Sequence, residues 1–140
     1  MKTAVAIVGR LAGLAGVTLV ILGLVMWIGH VPSLIPLHMV IGTVFVLAVW
    51  VLCALGLQAK LFARSAATFA WSLVVPAFGY TQMQILPGPN HWVIRVLHLA
   101  VGIVAMGLAR SLAVRSYAAL AARETSGDPS SRAQAARPTP

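Results

Sequence analysis

Residues 34–57 read LIPLHMVIGTVFVLAVWVLCALGL. No charged side chain interrupts the run, and its one histidine, His38, lies near the start. The run exceeds the roughly 20 residues that a helix needs to cross a bilayer. Working outward, three more such runs appear, at about 5–29, 66–86 and 91–113. Strands are excluded on physical grounds. Four crossings could not close a barrel, and an open sheet edge in lipid would leave backbone groups unpaired.

Composition agrees. Of 140 residues, 60% are hydrophobic and 9% charged. A soluble domain of this size could not hide so much apolar surface. The expected fold is therefore all-α, an integral membrane up-down four-helix bundle, because short connections make consecutive helices antiparallel neighbours. The net charge of +8 does not point to nucleic acid. The basic residues fall between apolar runs instead of forming a stripe.

The breaks carry turn chemistry. HVPSLIP joins the first two runs, with Ser33 as N-cap and Pro36 in the first turn. QAKLFARS joins the second and third. PGPN joins the third and fourth, with Asn90 as N-cap. Pro76 is expected to kink the third helix. The first run is too long for a secretory leader, lacks a small-residue cleavage pattern, and is read as a helix. Its Gly9, Ala12, Gly13 and Gly16 would allow close helix approach, either within the bundle or in a homodimer. Cys53 reads as a small buried hydrophobe. Residues 114–124 read as an amphipathic helical extension leaving the membrane or lying on it, and 125–140 as a disordered tail.

The cations set the topology. Lys2, Arg10, Lys60, Arg64, Arg110, Arg115, Arg123, Arg132 and Arg137 all fall on one side of a four-span arrangement. Both termini are therefore expected in the cytoplasm of a multi-pass protein of the cell membrane. Arg95 is the exception. It lies inside the fourth run on the opposite side, and the only acids, Glu124 and Asp128, are far away. His30, His38, His91 and His98 share its side. One account is that Arg95 snorkels to headgroup phosphates and the histidines sit at the wet interface. The other is an anionic ligand that supplies the missing negative charge.

Two short matches favour the second account. HMVIG (38–42) and HLAVG (98–102) each place a histidine four residues before a glycine, near the outer ends of parallel helices. Residues four apart share a helix face. His38 above Gly42 and His98 above Gly102 thus leave room beneath each imidazole for a flat macrocycle with nitrogen ligands from both sides. One haem b fits this pattern, with His38 and His98 as metal ligands. Arg95, one turn nearer the surface than His98, would meet the propionates. Zinc or copper fits less well beside an arginine with no carboxylate to help. A second haem on His30 and His91 would crowd the first, since His91 and His98 are only about 10 Å apart along the helix. Trp27, Trp92 and Tyr80 read as interface or packing aromatics. Gln82 and Gln84 read as interhelical or ligand hydrogen-bonders.

In general plan, the His38 and His98 pair in a four-helix membrane core, about residues 5–113, resembles the small bis-histidine membrane b-type cytochromes. The resemblance implies electron transfer near the extracytoplasmic face, with a quinol or another redox protein as partner. Two-haem members carry histidine pairs on both sides of the membrane. Here the cytoplasmic half has none, so one haem alone would not carry electrons across the bilayer. The competing reading is a non-catalytic accessory or assembly subunit of a larger membrane complex. A carrier using Arg95 for an anion ranks third, because the runs contain no acid for proton coupling. The sequence contains no nucleophile–base pair, hydrolase metal motif or phosphate loop.

Overall fold

The structure, a computed structural model, describes residues 1–127. Its helices are α1 (Lys2–Gly29), α2 (Ile35–Gln58), α3 (Phe62–Thr81) and α4 (His91–Gly127), with one 3-10 turn at Pro32–Leu34. No strand occurs among the described residues. Three helical segments are long and apolar enough to cross a membrane: α1, α2 with its preceding turn, and α4. Their outward surfaces carry aliphatic side chains, among them Ile7, Leu14 and Ile21 on α1 and Val40 and Leu47 on α2. Helices that are apolar all round belong in a buried or lipid setting. The remaining helix, α3, is diluted by Arg64, Ser65, Thr68 and Ser72.

The contacts fix the directions. Gly9 faces Ala113 and Gly16 faces Met106, so as α1 climbs, α4 descends. Gly23 meets His38, and Gly42 meets Leu19, so α1 and α2 are antiparallel. Trp50 bonds to Ser72 across α2 and α3. Arg64 bonds to Ser111, and Trp71 to the Val101 carbonyl, across α3 and α4. In contrast, Gly56 lies against Leu112 while His38 neighbours His98, so α2 and α4 run parallel. The helices α1 and α3 do not touch, which puts α2 and α4 on the short diagonal of the bundle.

The small residues of α1 explain its approach to α4. A Cβ built on Gly9 would lie 3.0 Å from that of Ala113, and one on Gly16 would lie 2.8 Å from Met106 Cγ. Ala12, between them, is buried. This seam lies inside the bundle. Gly13 alone faces open space.

The end of the bundle that holds both chain ends is densely packed. Leu52 and Leu112 are both 0% exposed, with Val5, Val49 and Leu120 nearly as deep. The end of α2 is also well capped. Lys60 takes a left-handed conformation (φ 63°). The Leu61 amide then donates to the Gly56 carbonyl and the Lys60 amide to that of Leu57, both at 2.9 Å, in the Schellman pattern. The next two carbonyls, Gln58 and Ala59, accept from Nη1 and Nη2 of Arg123 at 3.0 and 3.1 Å. Arg123 therefore completes the cap of a helix other than its own, where a cation also suits the helix dipole.

Residues 114–124 are helical, and that contact ties them to the bundle. They continue α4, bury Ser116 and Leu120, and hold Lys2 through Glu124 at 2.6 Å. Residues 125–127 are the last of α4, and the rest of the expected tail lies outside the described residues.

Helix three differs most from expectation, spanning Phe62–Thr81 where 66–86 was expected. The tight cap at Lys60 lets the next helix begin at once. At the other end, Gln84 turns back onto the Thr81 carbonyl and Leu86 takes φ 52° before Pro87, so Gln82 and Gln84 lie in a loop. Neither proposed N-cap acts as one. Ser33 sits inside the 3-10 turn, Leu34 precedes α2 without a side-chain cap, and Asn90 offers only its backbone carbonyl, to Val93.

Candidate functional site

The far end of the bundle, away from the chain ends, holds the four histidines. His38 enters from the first turn of α2. The 3-10 turn and Pro36 start that helix so that position 38 faces inward. His98 enters from α4, where Trp71 of α3 holds the Val101 carbonyl at 3.1 Å, one turn deeper. The two imidazole rings are neighbours, with centroids 6.4 Å apart and planes tilted by 48°. Both residues are half-buried, and the Nδ1 atoms of both are fully enclosed with no hydrogen-bond partner. A buried ring nitrogen without a partner is unfavourable.

Each ring also rests on a glycine of a neighbouring helix. A Cβ built on Gly23 of α1 would lie 3.8 Å from His38 Cε1, and one on Gly79 of α3 would lie 3.2 Å from His98 Cε1. Phe78 stacks on His98 at 5.8 Å with planes 27° apart. Sequence reasoning did not find Gly23, Gly79 or Phe78. They belong to the odd-numbered helices, and only the antiparallel register brings them level with the histidines.

Of the glycines that were singled out, only Gly102 borders free space. A Cβ on Gly102 would meet nothing within 4 Å, and one on Gly42 would meet only Leu19, at 3.9 Å. Arg95 is exposed, and the turn above His98 turns Ile94, not Arg95, into the interior. His91 is half-buried with an unpartnered Nδ1. His30 is exposed, in a left-handed conformation at the end of α1, with Nδ1 3.2 Å from the Ile28 carbonyl. The structure brings His38 and His98 into ring contact, and not His30 with His91.

The spacing of the two ring centres is comparable with that of two imidazoles on one metal. A metal–nitrogen bond of about 2.0–2.1 Å, plus about 1.1 Å from nitrogen to ring centre on each side, puts ring centres about 6.3 Å apart. A planar macrocycle around that metal would need room beside both rings; a Cβ on Gly102 meets nothing within 4 Å, whereas Leu19 packs against Gly42. No third histidine, cysteine or carboxylate joins the pair among the described residues, which disfavours tetrahedral zinc.

No family model, no curated protein and no solved structure matches this chain. The class defined by fold and geometry is a four-helix bundle, three of whose helices are long and apolar enough to cross a membrane, with two neighbouring imidazoles near one end.

Proposed function

We propose that the chain is a multi-pass protein of the cell membrane, with four crossings and both termini cytoplasmic, that binds one haem b near the extracytoplasmic face and takes part in electron transfer. The observation that carries this reading is the 6.4 Å separation of two half-buried imidazoles whose Nδ1 atoms lack partners. His38 and His98 would hold the iron from opposite sides. Gly42 and Gly102 would keep side chains out of the way of the ring, and Phe78 and Gly79 would fix the orientation of His98. Arg95, at the exposed rim one turn above His98, would hold the propionate carboxylates. Its charge and the low-dielectric walls would tune the potential. When bound, such a haem supplies a one-electron couple with both axial positions filled. A quinol or a second redox protein on the same side of the membrane is the partner this arrangement suits.

The second reading is an accessory or assembly subunit of a larger membrane complex. It draws on Gly13, which is exposed beside Leu14 and Val17 and open to a partner helix. A homodimer through α1 would use this side, since the Gly9 and Gly16 side is occupied by α4. Absorption spectra separate the readings. Protein from haem-replete cells is expected to show a haem band that shifts on reduction. A colourless preparation with a stoichiometric partner supports the accessory role instead.

A further inference from the structure

The opposite end of the bundle carries a feature that haem binding does not use. Gly107, Arg110, Ser111, Val114 and Arg115 line a shallow groove of about 350 Å³ along α4. A Cβ on Gly107 would meet nothing within 4 Å, so the floor is open. Arg64, in the first turn of α3, reaches across and donates from Nη1 to Ser111 Oγ at 2.9 Å. Two arginines therefore line the groove, and a third, Arg64, is bonded to the serine between them. Among the described residues the one carboxylate side chain, Glu124, pairs with Lys2 and not with these arginines. Arg64 is half-buried, where an uncompensated cation is unfavourable. The first turn of α3 has no acidic residue and no side-chain cap, and its amide end adds to the positive potential.

We propose that this groove binds the headgroup of an anionic phospholipid. A phosphodiester accepts paired hydrogen bonds from planar guanidinium groups, which explains why arginines suit the site. Ser111 holds Arg64 in position, while Arg110 and Arg115 close around the phosphate. The groove also continues as a lipid path. Ile103 and Val104 share the Gly107 face, one turn deeper, and both are exposed aliphatics. An acyl chain can lie along them while the headgroup stays among the arginines, which favours a lipid over a free phosphate ion. Basic pockets between membrane helices on the cytoplasmic side are suited to such headgroups. The inference rests on the membrane topology above and is independent of haem.

The test is native mass spectrometry of the full chain in detergent, with added phosphatidylglycerol or phosphatidylcholine of the same acyl composition. Wild type is expected to retain one phosphatidylglycerol in preference to phosphatidylcholine. Arg64→Gln and Arg110→Gln should each weaken that preference about fivefold. Arg10→Gln removes the same charge from an exposed position on α1, which does not touch α3, and should leave the preference intact. If Arg64→Gln fails to fold, Ser111→Ala keeps every charge, removes the tether, and should still reduce the preference. Equal retention of the two lipids by wild type overturns the proposal. So does an equal loss in Arg10→Gln, an unchanged preference in both Arg110→Gln and Ser111→Ala, or displacement of the lipid by millimolar inorganic phosphate. The haem spectrum is a separate readout, so neither result decides the other.

Discussion

The two ends of this bundle are built on different terms. At the end holding the chain ends, Leu52 and Leu112 are sealed, Gly56 has no room for a methyl group, and four successive carbonyls of α2 are capped. At the far end, Ile94 is the one deeply buried aliphatic of its turn, two imidazoles are neighbours with unpartnered nitrogens, and Gly102 borders open space. Close packing like that around Leu52 and Leu112 confers stability, and it does so although Ser65, Thr68 and Ser116 there also keep unpartnered hydroxyls. What sets the far end apart is its looser packing around two neighbouring imidazoles.

Substitutions at the two ends should therefore fail in different ways. The largest effect is expected at His98. His98→Ala should lower haem content by about 10- to 100-fold, measured by pyridine haemochrome, while leaving helix content by circular dichroism unchanged. A stable, colourless variant is the signature of a ligand, and an unfolded one would blur the contrast between the ends. Next comes Gly56→Ala, whose Cβ would collide with Ser65 Oγ and lie 2.8 Å from Leu112 Cδ1. It should cost about 1–3 kcal/mol by thermal unfolding, with or without haem.

Arg123→Gln removes the donors to Gln58 and Ala59, and about 1–2 kcal/mol of stability should go with them. The effect should shrink in high salt, because the cap is partly exposed. Gly102→Ala should behave in the opposite sense. The methyl group enters open space and favours the helix by about 0.5–1 kcal/mol, so the haem-free protein should melt higher while haem loading falls. The smallest effect is expected at Thr68, 2% exposed with an unpartnered hydroxyl. Thr68→Val should be neutral or should stabilise by up to about 1 kcal/mol. A clear loss would mean that the hydroxyl holds an ordered water.

The all-helical bundle was legible in the sequence because uncharged apolar runs are long and the breaks between them carry proline and glycine. Helix ends were less legible. The Lys60 cap draws on Arg123 from a different helix, and the early end of α3 depends on Leu86 adopting a conformation that leucine rarely takes. That 114–124 is helical was legible, whereas its contact with the end of α2 was not. At the site, the repeated spacing of His38–Gly42 and His98–Gly102 identified one position bordering free space, Gly102. It could not identify Gly23, Gly79 or Phe78, because neighbours across a bundle leave no mark in local spacing. The position of Arg95 followed from sequence only in part. Three residues before His98 lies near the same face, but here Ile94 takes the interior and Arg95 the rim.

The most direct test is an absorption spectrum of the full-length protein, purified from haem-replete cells, oxidised and then reduced with dithionite, beside the His38→Ala plus His98→Ala variant. The account predicts a b-type spectrum that sharpens on reduction in the wild type and is lost in the folded double variant. A wild type without pigment, or a double variant that keeps its full haem content, would contradict it.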